Sequence, residues 1–360
     1  MKSLFQPLNF KNGSIMKNRF MLAPMTNSQS HADGCLSDDE YRWLTMRAKG
    51  GFGLTMTCAS HVQAIGQGFP GQLGCFSDKH VEGLGRLARG IKAEESLAVL
   101  QLHHAGMRSP DEVIGEQPVC PSENQETGAR ALSLEEVEQL KEDFIVAAQR
   151  AETAGFDGVQ LHGAHGYILC QFLSPGINRR NDQYGGSLEN RSRLLFEIID
   201  GIRSRCQADF LLSVRLSPER FDMELGEVIK LAQRLMSEEQ IDFLDMSLWD
   251  SFKEPMDEAF QERSLLSYFT ELDRGAVRLS VAGKIHTAQD AKHCLEMGVD
   301  FVVVGRSAIL HHDFPRQLLA NPNFEPKTIP VTMDYLRSQG LGEAFIQYMA
   351  GWEGFVASSS

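Results

Sequence analysis

Short, continuously apolar runs recur along the whole chain, at 20–25, 54–58, 97–102, 159–162, 210–216, 243–247, 277–281 and 301–305. They alternate little between apolar and polar residues, the mark of strands covered on both faces, as in a parallel sheet. Helical patterns fall between most of them. Over 134–151, Leu134, Val137, Leu140, Phe144, Ala147, Ala148 and Ala151 share one face. Ser133-Leu134-Glu135-Glu136 forms a capping box at its start, and Gly155 is a natural stop. Ser37-Asp38-Asp39-Glu40 and Thr287-Ala288-Gln289-Asp290 repeat the start signal before two further helices. Eight strands alternating with helices predict an α/β fold, a (β/α)8 TIM barrel, with 1–360 as one domain. A doubly wound sheet is the competitor, because alternation alone does not separate the two. The count of eight and the lack of a splitting linker favour the barrel. The residues after each strand then line the active face. Three connections are long, at 64–77, 103–132 and 248–264, as expected of binding loops or lids. The only low-complexity stretch is the terminal Ser358-Ser359-Ser360.

Composition narrows the chemistry. The chain has 360 residues, 42% hydrophobic and 23% charged, enough apolar content for a sizeable core. A net charge of −13 argues against a broad nucleic-acid surface and against binding to anionic membranes. It leaves room for a local basic pocket, so the expected partner is a small molecule. Seven scattered cysteines contain no C-x-x-C pair, which disfavours a zinc ribbon or iron–sulfur cluster and fits reduced thiols in the cytoplasm. The N-terminus shows no signal-peptide pattern, and no apolar run approaches the ~20 residues of a membrane span.

Chemistry-bearing residues concentrate in His162-Gly163-Ala164-His165-Gly166-Tyr167, just past the fourth apolar run. Two imidazoles and a phenol can donate hydrogen bonds, and the phenol can deliver a proton. Three readings stand: metal ligands, a structural pair of histidines, or donors to a substrate oxygen with Tyr167 as acid. The i, i+3 spacing suits a metal only on a helix, and no nearby carboxylate completes a set. The seventh and eighth runs end in Gly283-Lys284 and Gly305-Arg306, the loops that hold a phosphate in many barrels; the plain alternative is that the glycines only ease turns. Gly66-Gln67-Gly68-Phe69-Pro70-Gly71 matches a dinucleotide fingerprint in form, but Pro70 interrupts it and no helix opens at once. Arg215, inside an apolar run, is either one partner of an ion pair across the barrel or a fixed charge facing an anionic cofactor. Gln101 offers donor and acceptor together, which suits the edge of a heterocycle.

Taken in order along the chain, Asn18-Arg19, Pro24-Met25, Gln101, the His162–Tyr167 cluster, Tyr184-Gly185-Gly186-Ser187-Leu188-Glu189-Asn190-Arg191, Arg215, Gly283 and Gly305-Arg306 resemble the Old Yellow Enzyme family of FMN-dependent ene-reductases. The resemblance implies FMN as cofactor and NADH or NADPH as co-substrate, the nicotinamide stacking on the flavin without a Rossmann domain. It implies that Ala23, Pro24, Met25 and Thr26 lie against the flavin and that Ala59 contacts its ring. Gln101 would bind the pyrimidine edge, Arg215 would sit near N1, and Gly283, Lys284, Gly305 and Arg306 would hold the phosphate. His162, also a cofactor contact, and His165 would bind the carbonyl or nitro oxygen of the substrate. Tyr167 would protonate the alkene after hydride transfer from flavin N5, and no metal is implied. Departures stand out: Thr26 and Ser28 occupy positions where one branch carries cysteine and tyrosine, and no tail arginine is present to enter a neighbouring subunit. Trp352 packs either at an interface of a homo-oligomer or on its own barrel. The lack of clustered cysteines disfavours the larger dienoyl-CoA-reducing relatives. The competing readings are a metal-dependent barrel lyase or hydrolase on His162 and His165, and a flavin-binding protein without turnover.

Overall fold

The computed structural model describes residues 2–357, so Ser358-Ser359-Ser360 lie outside it. Each of the eight apolar runs is a strand: β1 (Phe20–Leu22), β2 (Leu54–His61), β3 (Leu97–His103), β4 (Gly158–Gly163), β5 (Leu211–Leu216), β6 (Phe243–Ser247), β7 (Arg278–Ala282) and β8 (Phe301–Val304). They are parallel and close in sequence order, β8 returning to β1 through Val302 opposite Phe20 and Val304 opposite Leu22. That closure decides for the barrel over the doubly wound sheet. The helices α1 (Asp38–Lys49), α2 (Val81–Lys92), α3 (Leu134–Thr153), α4 (Leu188–Arg205), α5 (Leu225–Ser237), α6 (Ser267–Thr270), α7 (Ala288–Glu296) and α8 (Arg306–Leu310) follow the strands in turn.

The start signals act locally as expected. Ser133 and Glu136 close a full capping box, with Glu136 N donating to Ser133 Oγ at 3.1 Å and Ser133 N donating to Glu136 Oε2 at 2.7 Å. Thr287 and Asp290 do the same for α7. Ser37 caps α1, but Glu40 does not complete a box. Its carboxylate turns inward and accepts hydrogen bonds from Asn27 Nδ2 at 3.2 Å, Cys58 Sγ at 2.9 Å and Ser30 Oγ. Leu134 departs from the expected buried face: as the first residue of α3 it is 43% exposed.

The strand period decides what enters the barrel. Odd-numbered residues of β3 and β5 and their counterparts on β4 and β6 point inward, while Leu100, Leu102, Val159, Leu161, Leu212 and Val214 face the helices. The N-terminal hairpin, Leu8–Asn9 against Ile15–Met16, closes the lower end of the barrel. It brings Phe10 to 5.8 Å from Phe243 and 6.0 Å from Phe301, centroid to centroid. The upper end carries the long loops. Of nine non-glycine residues with left-handed backbone among the described residues, seven lie there: Ser28, His165, the run Arg220-Phe221-Asp222, Trp249 and Lys284; Glu95 and Glu239 precede strands at the other end. Such strain persists where the surroundings over-determine the backbone, and it concentrates at working sites.

Candidate active site

At the upper end, a cavity of about 270 Å³ is lined by Ala23, Pro24 and Met25 together with Gly283, Lys284, Gly305 and Arg306. His165, Arg215, Ser247, Trp249 and Trp352 complete its wall. Nine of the expected residues therefore meet in one space. Trp352 reaches it from its own chain while staying 41% exposed.

Below and beside the cavity, the barrel interior is polar in layers. Arg215 and Asp245 are opposite one another on β5 and β6, with Arg215 Nε 3.1 Å from Asp245 Oδ2. The contact is an ion pair, although the N–H is not aligned for a hydrogen bond. Burial raises the Asp245 pKa above the usual carboxylate range, and the Arg215 charge opposes that rise. Ser280 Oγ donates to Asp245 Oδ1 at 3.2 Å, and Gln160 Nε2 approaches Oδ2 at 3.4 Å. Gln101 Nε2 in turn donates to Gln160 Oε1 at 2.8 Å. The ion pair across the barrel is thus present, and Arg215 also lines the cavity. Five expected residues, Thr26, Ala59, Gln101, His162 and Tyr167, do not line this cavity. Gln101 is buried, with its amide committed to Gln160.

The histidines form a chain. His162 Nε2 lies 2.9 Å from His165 Nδ1, His165 Nε2 lies 2.8 Å from Ser247 Oγ, and His162 Nδ1 lies 3.2 Å from His103 Nδ1. Burial holds all three imidazoles well below the usual histidine range, His165 to about 3; the charge of Arg108 adds to the effect at all three and that of Arg215 at His162 and His165. They are therefore neutral, with one N–H each. Because His162 and His165 hydrogen-bond to one another, a bound oxygen must replace that bond to receive both donors. Tyr167 stands edge-on against His103 and His162, with centroids at 4.3 and 4.9 Å. Burial raises its pKa, so the phenol keeps its proton at neutral pH. Its hydroxyl makes no hydrogen bond to a described residue.

Sequence reasoning missed His103, Gln160 and Asp245. The signal was available as period 2: Gln101/His103, Gln160/His162, Ser213/Arg215 and Asp245/Ser247 are polar pairs at i, i+2 in otherwise apolar strands. The Tyr184–Arg191 block lies away from the cavity and is structural. Tyr184 donates to Glu197 at 2.8 Å and to Glu138, Ser187 caps α4, and Arg191 binds Glu227 and the Leu173 carbonyl. The Gly66–Gly71 run does not leave a strand for a helix; it packs. A side chain at Gly66 would strike the His104 ring at 2.5 Å, and one at Gly71 (φ 71°) would strike the Ser28 carbonyl at 2.5 Å.

The donor set fits a phosphorylated flavin. Gly283 has a φ of 153°, and a Cβ there would meet the backbone of Trp249 and Asp250 at 2.9 Å. A Cβ at Gly305 would meet nothing closer than Met25 Sδ at 3.7 Å, so it would project into the cavity. Arg306 is exposed and has no carboxylate partner among the described residues. Lys284 is less free: its Nζ lies 2.9 Å from Asp250 Oδ2, so an anion must share it with that carboxylate. No group of three or more His, Cys, Asp or Glu side chains among the described residues is placed to hold a metal ion.

Comparison with known proteins agrees with this geometry. The model of the NADH:flavin oxidoreductase / NADH oxidase family matches residues 3–324. A probable NADH-dependent flavin oxidoreductase of Bacillus subtilis is 36% identical over 337 residues, covering 91% of this chain and 87% of its own. An NADH:fumarate oxidoreductase of Klebsiella pneumoniae is 33% identical over 89% of this chain, which spans only 36% of that much longer protein. Among solved structures, the Old Yellow Enzyme homologue of Zymomonas mobilis superposes with a TM-score of 0.80 at 28% identity, over 96% of this chain and 99% of its own. Morphinone reductase in complex with tetrahydroNAD does so with a TM-score of 0.79 at 26% identity, over 96% and 97%. The barrel, its cavity and these matches together establish that the chain belongs to the Old Yellow Enzyme family of FMN-dependent NAD(P)H oxidoreductases.

Proposed function

We propose that the chain, as one FMN-binding barrel over 1–360, reduces the activated C=C bond of α,β-unsaturated carbonyl or nitro compounds. The observation that carries this reading is the cluster of His162, His165 and a proton-bearing Tyr167 beside Arg215, with His165 and Arg215 themselves lining the cavity that Gly283, Lys284, Gly305 and Arg306 share. Gly283, Lys284, Gly305 and Arg306 would hold the FMN phosphate, and Ala23, Pro24 and Met25 would lie along the ring. Thr26 and Gln101 would touch it only after side-chain adjustment and Ala59 only after a backbone shift, since they stand outside the cavity wall. FMN, when bound, supplies hydride taken from the nicotinamide.

The remaining roles belong to the chain's own groups. The N–H groups of His162 and His165 turn from one another to the substrate oxygen. There they stabilise the negative charge that grows as the alkene accepts hydride. Tyr167 holds a proton at Oη for the carbon next to the carbonyl, replacing slow transfer from water. Arg215 keeps a fixed positive charge beside the cavity, where it favours an anionic reduced cofactor.

The test uses FMN-loaded protein. Stopped-flow mixing with NADH and with NADPH identifies the reductant, and a panel of enones and nitroalkenes then reads turnover. Tyr167→Phe should leave bleaching of the flavin by the nicotinamide in place and slow alkene reduction by ~10²–10⁴-fold, the usual worth of a positioned acid. Equal rates of alkene reduction in both proteins would remove Tyr167 from this role.

A further inference from the structure

Arg108 is not explained by the fold or by the chemistry above. It ends a single turn, Gly106–Arg108, that follows β3, and its side chain is exposed. One guanidinium N–H donates to the carbonyl of His165, and its Cζ stands 4.8 Å from the centre of the Tyr167 ring. That bond aims the fork over the proton donor and uses one of five N–H groups. No carboxylate among the described residues pairs with it. The same holds for Arg220, which lines a small pocket together with His165. Arg220 lies over the ring of Trp249 at 4.5 Å, and Trp249 lines the cavity. The neighbouring Glu219 is turned away and committed to Lys253 and to the backbone of Met256. In a chain of net charge −13, two arginines without carboxylate partners therefore stand near the histidine that would bind the substrate oxygen. A guanidinium fixed over an aromatic ring, with most of its N–H groups free, is a receptor for a planar carboxylate.

We propose that Arg108 binds a carboxylate carried by the substrate beside its activated double bond, with Arg220 adding longer-range attraction. The preferred substrates are then anionic ene-carbonyl compounds rather than neutral enones. This inference rests on the ene-reductase reading, and its test separates the two.

Two matched ligand pairs make the measurement. 3-Benzoylpropionate and its amide have no double bond to reduce, and calorimetry on the FMN-loaded protein reads their binding. 3-Benzoylacrylate and its amide are the reducible counterparts, and kcat/KM reads their turnover. The carboxylate should be favoured about tenfold or more in both pairs, and less so at 0.5 M salt. Arg108→Gln should bring both ratios to about one, Arg108→Lys should restore part of them, and Arg220→Gln should lower them by a smaller factor. Because each ratio compares two ligands on one protein, any general loosening of His165 in a variant cancels. A wild-type binding ratio near one, or a ratio kept in Arg108→Gln, overturns the inference whatever the turnover. An Arg108-dependent binding preference without reduction of either alkene, while NAD(P)H still bleaches the flavin, upholds the anion site and overturns the ene-reductase reading.

Discussion

His165 spends both ring nitrogens on neighbours, His162 on one side and Ser247 on the other, and it does so from a left-handed backbone at φ 60°. One of those two bonds must therefore be given up before the neutral ring can donate to any other oxygen. Arg215 presents the complementary case. Its ion pair with Asp245 is buried on both sides, so removing one partner leaves a charge without compensation. Arg215→Leu should destabilise the protein by about 3–5 kcal/mol and abolish FMN retention, read by urea unfolding and by flavin content after desalting. The chemical identity of these residues was legible in the sequence. Their partners were not, because Asp245 lies thirty residues beyond Arg215 and becomes its neighbour only through the register of β5 with β6.

The strands and their loops divide the work differently. Capping signals were read correctly where both halves of a box stay at the helix start, as at Ser133 and Thr287, and incompletely at Ser37, where Glu40 is drawn into the core by Asn27, Ser30 and Cys58. Two glycines of similar appearance in the sequence are also used differently. At Gly283 the loop after β6 crosses so closely that a side chain would strike its backbone, whereas Gly305 opens onto the cavity. Gly283→Ala should therefore lower the thermal midpoint of the apo-protein and weaken FMN. Gly305→Ala should lower the apo midpoint less than Gly283→Ala does and still weaken FMN, because its Cβ meets no atom closer than 3.7 Å and enters the ligand's space. Calorimetric melts with and without FMN read both effects. The sequence marks both positions as glycine; the direction in which the missing side chain would point is a property of the packed loops.

Across the whole molecule, buried neutral imidazoles set the response to acid. Burial holds His61 at about 4 and His104 and His165 at about 3, while the same rings in the unfolded chain titrate near 6.5. Between those values the unfolded state binds more protons, so stability is fully present above about pH 6.5 and falls as pH drops toward 4. Each ring contributes a slope of up to about 1.4 kcal/mol per pH unit in that window. The thermal midpoint should fall steadily from pH 7 to pH 5, and His104→Gln should flatten the slope; a midpoint constant over that range would contradict the buried neutral state.

The sequence by itself determined the eight strands, most of the helix starts and the identity of the chemical groups, because apolar periodicity and capping are local and survive without knowledge of the partners. It also carried the family resemblance, whose motifs are contiguous or ordered along the chain. Only the tertiary structure decided that the sheet closes, that Phe10 and the N-terminal hairpin seal its lower end, and that His103 joins the histidine chain. The tertiary structure also separated the glycines that pack from the one that makes room, and set Arg108 over Tyr167. Each of those facts depends on strand register or loop crossing, and both are fixed by contacts between residues far apart in the chain.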